Sequence, residues 1–198
     1  MLVALLALGA LLLASGILWL VQNVFTERTD TRGSGDGIYF YKADYDENIL
    51  ENPNYLAFDR SIMYTEDGVG MTLSGETVEI FGKSAAFFQT YFDAIIRGDS
   101  AAYRSLFTES FLKTHQIPER FTMQMLYEMQ VELFTREWKE IGGQSVLVEL
   151  YIVKYKIFEN NGTFRADVGS NTIKPIVLEL YTVEDTVRIN AMGYKNHA

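Results

Sequence analysis

Residues 84–97 read SAAFFQTYFDAIIR, and the spacing of their apolar positions decides the fold. Phe88, Phe92, Ile95 and Ile96 fall at i, i+4, i+7 and i+8, while Phe87 and Tyr91 widen the stripe. That is the 3.6-residue period of an amphipathic helix with one broad buried face. Ser84 is a candidate N-cap, because its hydroxyl can accept from a free amide of the first turn. Gly98 is a candidate stop, because glycine takes the left-handed conformation that closes helices. Asp99 or Ser100 then caps a short second helix reaching residue 107, with Tyr103, Leu106 and Phe107 inward. Pro118 breaks the chain. Thr122 opens an expected third helix over 123–132, burying Leu126, Met129 and Leu133.

On either side of these helices the period is that of strands. Upstream, 38–41 (IYFY), 55–65 (YLAFDRSIMYT), 69–73 and 76–81 are strand candidates, and Asp67-Gly68 between two of them is a hairpin turn. Downstream, 133–141 ends at Gly142-Gly143 and the long apolar run 146–158 (VLVELYIVKYKIF) follows. Asn161-Gly162 turns the chain into candidate strands at 163–168, 173–183 and 186–194. Pro175 lacks an amide donor and belongs at an edge, a strand start or a bulge. The fold class this predicts is α+β, with helices packed on a curved antiparallel sheet behind a β-rich preamble.

The run Phe92-Asp93-Ala94-Ile95-Ile96-Arg97-Gly98-Asp99, followed by a short helix with Tyr103, Leu106 and Phe107 and then by long strands, resembles the nuclear transport factor 2-like superfamily. That family is a cone of helices wrapped by a curved sheet. The resemblance covers about residues 83–195, and its "aromatic, two apolar, Gly-Asp" helix end is short and degenerate. It implies a fold. It implies no single activity, since the family includes isomerases, dehydratases, ligand binders and structural partners. The organisation that follows is an anchor at 1–22, a tether at 23–37, a preamble at 38–82 and a nuclear transport factor 2-like domain at 83–198.

The anchor is read from Met1 through Val21, one uncharged apolar run (MLVALLALGALLLASGILWLV). A helix of that length, at about 1.5 Å per residue, spans the roughly 30 Å of a bilayer's hydrocarbon core. A cleaved signal peptide has a basic start and a shorter apolar stretch; here the start is already apolar and the run continues past Ala14-Ser15-Gly16. A single-pass transmembrane helix is therefore expected, with Trp19 at an interface. The tether 26–37 (TERTDTRGSGDG) contains no large apolar residue. An extracytoplasmic domain is the expectation for a single N-terminal anchor; Arg28 and Arg32 argue for the opposite orientation.

Composition narrows the chemistry. The net charge of −9 opposes phosphate-backbone binding, and no nucleic-acid partner is expected. With 12 Tyr and 13 Phe the chain is too aromatic for a disordered segment. There is no cysteine, and His115 and His197 are the two histidines. No metal centre and no cofactor are therefore expected. The stretch Asp44-Tyr45-Asp46-Glu47-Asn48 begins like a calcium loop but has Ile49 and Tyr55 where glycine and glutamate are needed, and it reads as a solvated turn. Isomerase-like members of the resembled family place a carboxylate and a tyrosine–acid pair inside the cone, where apolar walls hold the acid neutral. Tyr91, Asp93 and Tyr103 are the candidate ligand-binding residues of such a cavity. The competing reading makes Tyr91 and Tyr103 core aromatics and leaves Asp93 on the exposed helix face. Without a catalytic constellation, the expected role is non-enzymatic binding or assembly at the cell surface, through a homodimer or protein partner on the sheet face. The alternative is a small apolar ligand or an isomerase-like reaction in the cone.

Overall fold

The computed structural model describes residues 37–194. A single 3-10 turn, Ile49–Glu51, leads into α1 (Pro53–Leu56). Asn48 and Asn52 cap them in turn, with Asn52 Oδ1 accepting from the amides of Asn54 and Tyr55. The hairpin β1 (Ile62–Glu66) and β2 (Val69–Thr72) closes through Asp67 and Gly68, both at positive φ. These are the dihedrals that an Asp-Gly hairpin turn requires. Then come α2 (Gly75–Phe81), α3 (Lys83–Ile96), α4 (Ser100–Ser105) and α5 (Glu109–Thr114), followed by β3 (Met125–Ile141), β4 (Gln144–Phe158), β5 (Ile176–Val183) and β6 (Thr186–Tyr194). The sheet order is β2-β1-β3-β4-β5-β6.

The fold class expected above needs two corrections. The sheet is mixed and not antiparallel, because β1 runs parallel to β3, with Ile62 beside Met129 and Thr65 beside Glu132. The fold is thus α+β with six strands and short helices around one longer one. Among the described residues, no helix is long and apolar enough to cross a membrane. Residues 1–22, where the transmembrane helix was expected, lie outside the described residues, as does most of the tether.

Several element assignments also change. The expected third helix at 123–132 is the start of β3. Leu126, Met129 and Leu133 suit either period, but a bulge, not a helical turn, spaces them: Glu128 sits at φ 50°, and residues 128 and 129 together oppose Tyr155. The expected strand at 76–81 is α2, closed into a capping box by Ser74 and Thr77. Residues 38–41 form no strand, and of the run 55–65 only 62–65 do, within β1. Residues 163–168 form a loop, and β5 starts at Ile176, directly after Pro175.

Helix α3 packs against one face of the sheet. Ala85, Phe88, Tyr91, Phe92 and Ile95 are buried against Tyr151, Val153, Tyr155 and Ile157 of β4 and Leu178 and Leu180 of β5. Its N-cap is Gly82 at φ 75°, and not Ser84. Gly98 closes the helix at φ 65°. A Cβ there would sit 2.8 Å from the Met123 nitrogen and 2.8 Å from the Thr122 carbonyl carbon. Only glycine fits both the dihedral and the space. Asp99 then caps α4, accepting from the Ala102 amide at 2.9 Å.

Candidate functional site

The space between α3 and the sheet is filled by rings. Phe88 meets Tyr151 and Phe92 meets Tyr155 edge-on, Phe87 packs edge-on against Phe88 and Tyr91 against Phe92, and Tyr103 is ringed by Phe107, Phe121 and Phe164. Such contacts between rings favour close packing without voids. What remains is a cavity of about 100 Å³ lined by Tyr91, Tyr103, Tyr155, Arg165, Met192 and Tyr194, among others. Tyr91 and Tyr103 therefore come together, with ring centroids 5.9 Å apart. Asp93 does not join them. It points from the opposite face of α3, its side chain 58% exposed and paired with Arg97 Nε at 2.7 Å.

Arg165 is the charged member of this cavity and is only 5% exposed. It donates through Nε and Nη2 to the two oxygens of Asp167, at 2.5 and 2.8 Å, and through Nη1 to the Tyr155 hydroxyl at 3.2 Å. Its guanidinium lies 4.9 Å from the Tyr194 ring centroid, and Lys174 sits over the same ring at 4.5 Å. Burial opposes the charge of Arg165, but the phenolic oxygen of Tyr155 and the Asp167 carboxylate outweigh it and raise its pKa. Burial likewise opposes the Asp167 carboxylate, yet Arg165 and then Lys174, 3.0 Å away, bring its pKa below the usual carboxylate value. The phenols of Tyr91, Tyr103 and Tyr155 are all pushed up, chiefly by desolvation. They are locked as neutral donors. Among the described residues, the Tyr91 hydroxyl is buried with no hydrogen-bond partner. Among the described residues, no carboxylate and no histidine line this cavity, which offers hydroxyl donors and a compensated cation.

A second buried polar group sits at the other end of α3. Glu149, 1% exposed, accepts from Ser84 of the first turn of α3, from Arg136 Nε at 2.7 Å and from the Tyr151 hydroxyl at 3.2 Å. The Tyr151 and Tyr64 hydroxyls lie 2.8 Å apart, their two protons divided between that contact and the 3.2 Å contacts with Glu149 and Glu66, and Arg136 also pairs with Glu66. Burial raises the pKa of both phenols. The bonds of Ser84 and Arg136 to Glu149, of Arg136 to Glu66 and between the two phenols tie α3, β1, β3 and β4 to one another. None of its members lines a cavity among those described here, so the network reads as structural.

Larger concavities lie on the outer side of α3. One of about 520 Å³ runs between α1, the 58–61 segment and the end of α3. Another of about 460 Å³ continues along α3 to Met129. They share Arg60, Asp93 and Ile96, forming one open groove with an apolar floor and charged rims. Asp93 thus lines a surface groove.

Arg165, Tyr155, Tyr194 and Glu149 were not anticipated from the sequence. Glu149 carried a signal, since it occupies an inward position in the alternation Glu149, Tyr151, Val153, Tyr155, Ile157. Arg165 carried none, because the stretch 163–168 reads as a strand in the sequence and is a loop in the structure. Among the described residues, no group of three His, Asp or Glu is placed to hold a metal ion. His115 stacks on Phe111 at 4.3 Å, and His197 lies outside the described residues. Asp44 accepts from the Asp46 amide at 2.9 Å, a local turn. Asn161 donates to Thr122 Oγ1 at 2.7 Å and accepts from the Thr163 amide at 3.1 Å, so its side chain is used within the fold. Compared with protein-family models, curated proteins and solved structures, the chain matches none.

Proposed function

We propose that this chain is a non-catalytic binding and assembly module of the nuclear transport factor 2-like kind, held at a cell membrane by its N-terminal apolar run and displayed outside the cytoplasm. The observation that carries the reading is the filled cone. Pockets for metabolites measure about 300–1,000 Å³ and converge a few polar groups on their guest. Here the interior keeps about 100 Å³ and offers no base. The concave surface is on the outside, along the exposed side of α3, where Arg60, Asp93 and Arg97 rim apolar Phe58, Ile62 and Ile96. An apolar floor with a charged rim is the make-up of a protein-binding surface. The membrane address is supported by the sequence alone, through the length and lack of charge of residues 1–21.

A photoreactive residue at Thr90, which is exposed and lines the groove, tests this in the cells that make the protein. The expected result is one discrete covalent protein adduct, lost when Asp93 and Arg97 are exchanged for bulky or reversed side chains. A smear or no adduct contradicts the reading. A second reading, a small guest inside the cone, is favoured by one observation, the unpartnered Tyr91 hydroxyl facing Tyr103, Tyr155 and Arg165. It is limited to guests of a few heavy atoms.

A further inference from the structure

Strand β3 is far longer than its neighbour β1. The β1–β3 pairing ends at Thr65 and Glu132, whereas β3 pairs with β4 as far as Ile141 and Gln144. Beyond residue 134 the outer side of β3 is paired with no strand among the described residues. The other two edges of the sheet are managed. On β6, Leu106 and Thr108 bond Ile189 from outside at 2.7 and 2.9 Å. β2 is only four residues long and contains Gly70. An open, long edge is a template for another strand unless something blocks it. Here the apolar side chains of Phe134 and Trp138 are 51% and 68% exposed along it.

Which strand it takes is written in its charges. A bulge at Phe134 shifts the alternation, so that Arg136, Trp138 and Glu140 lie on one face and Glu137 and Lys139 on the other. Reading outward from Trp138, Glu137 is matched by Lys139 and Arg136 by Glu140. In an antiparallel pair, residues directly opposite share a face, and opposite charges there attract. A second copy turned about a two-fold axis at Trp138 therefore sets Glu137 against Lys139 of that copy, and Arg136 against its Glu140, twice each. That register pairs residue 135 with residue 141 and so covers the open stretch 135–141 and no more. Arg136 gives Nε to Glu149 and Nη1 to Glu66, and its Nη2 makes no hydrogen bond among the described residues. Glu140 has no ion pair among them, and Glu137 and Lys139, which pair with each other within the strand at 2.5 Å, exchange that pairing across the axis. We propose that two copies of this chain join edge to edge through residues 135–141 of β3, antiparallel, with Trp138 on the two-fold axis. The proposal rests on the assembly reading above and names one partner within it.

The absence of cysteine from the chain makes the register directly testable. Full-length chain carrying Trp138→Cys is oxidised in intact membranes. Thr135→Cys is a control on the same edge, displaced from its own copy by six residues, or about 20 Å at the rise of a strand. Glu76→Cys is a control off the edge. The expected result is a covalent dimer for Cys at 138 and none for the other two. In the unlabelled protein, Glu137→Lys is expected to weaken dimerisation about ten-fold, because two attractive pairs become repulsive. Glu137→Lys with Lys139→Glu is expected to restore it to within about three-fold, since all pairs become opposite again. Equal cross-linking at 135 and 138, no cross-link at 138 above the Glu76 control, an adduct at 138 with a different protein, or indifference to the charge reversal each overturns the proposal. If these fail while the Thr90 probe still captures its partner, the edge pairing is wrong and the binding reading stands.

Discussion

Replacing Glu149 by glutamine tests whether the buried network beneath α3 is a structural clamp. The carboxylate is 1% exposed and takes three donors, from Ser84, Arg136 and Tyr151. A glutamine keeps one acceptor oxygen and turns an amide donor toward those donors. Removing one partner of a buried ion pair costs about 3–5 kcal/mol, because the other charge loses its compensation. Arg136 is itself 38% exposed at its side chain and retains Glu66, which places the expected loss at the low end, about 3 kcal/mol. For a domain of this size that corresponds to a fall in Tm of about 6–12 °C. The assay is thermal unfolding of the full-length chain, followed by near-ultraviolet tyrosine dichroism, for wild type and variant side by side. Replacing both partners with methionine, Arg136→Met and Glu149→Met, removes charge and hydrogen bond together and should recover at least half of the loss. A Glu149→Gln protein within about 0.5 kcal/mol of wild type would refute the reasoning, and with it the assignment of Glu149 to structure.

Three further outcomes follow from the same geometry. Gly98→Ala should destabilise by about 3 kcal/mol or more, combining positive φ with a backbone clash at Met123 and Thr122; denaturant unfolding measures it, and a change under about 1 kcal/mol would contradict the close approach. Tyr91→Phe should be neutral or stabilising, since its hydroxyl has no protein partner, whereas Tyr155→Phe, which loses the bond to Arg165, should cost about 1 kcal/mol; the reverse order in unfolding free energies would contradict the described partners. Asp167 has a lowered pKa in the folded chain, so its contribution is fully present above the unfolded carboxylate value of about 4 and is lost as pH falls through the folded value. Asp167→Asn should therefore narrow the stability gap to wild type on acidification, and a gap that is constant with pH would contradict the Arg165 pairing.

Residues 84–99 were legible because one helix buries one stripe. Period, Gly98 stop and Asp99 cap each have a local physical cause that does not depend on the rest of the chain. The Asp67-Gly68 and Gly142-Gly143 turns were legible for the same reason. What failed depended on tertiary partners. Leu126, Met129 and Leu133 fit a helical stripe as well as a bulged strand, and the choice is made by pairing with β4 and by the Glu128 amide bonding the Asp59 carbonyl at 3.1 Å. The parallel β1–β3 pairing brings residues distant in sequence together with no local mark. Of the candidate cavity residues, Tyr91 and Tyr103 meet and Asp93 faces outward. The helical wheel contained that answer for Asp93, since it lies opposite the Phe88–Phe92–Ile95 stripe. Arg136 gave no warning because the bulge at Phe134 turns it inward.

The filled interior between α3 and the sheet is tested most directly by methyl NMR of the whole chain labelled at methionine and isoleucine. Met192 and Ile176 line the remaining cavity and report on anything that enters it. The account predicts that guests of ring size or larger leave both methyl signals unmoved at every concentration. A saturable shift of Met192 and Ile176 by such a guest, abolished when Tyr103→Trp fills the space, would contradict it and return the cone to use as a binding or catalytic site.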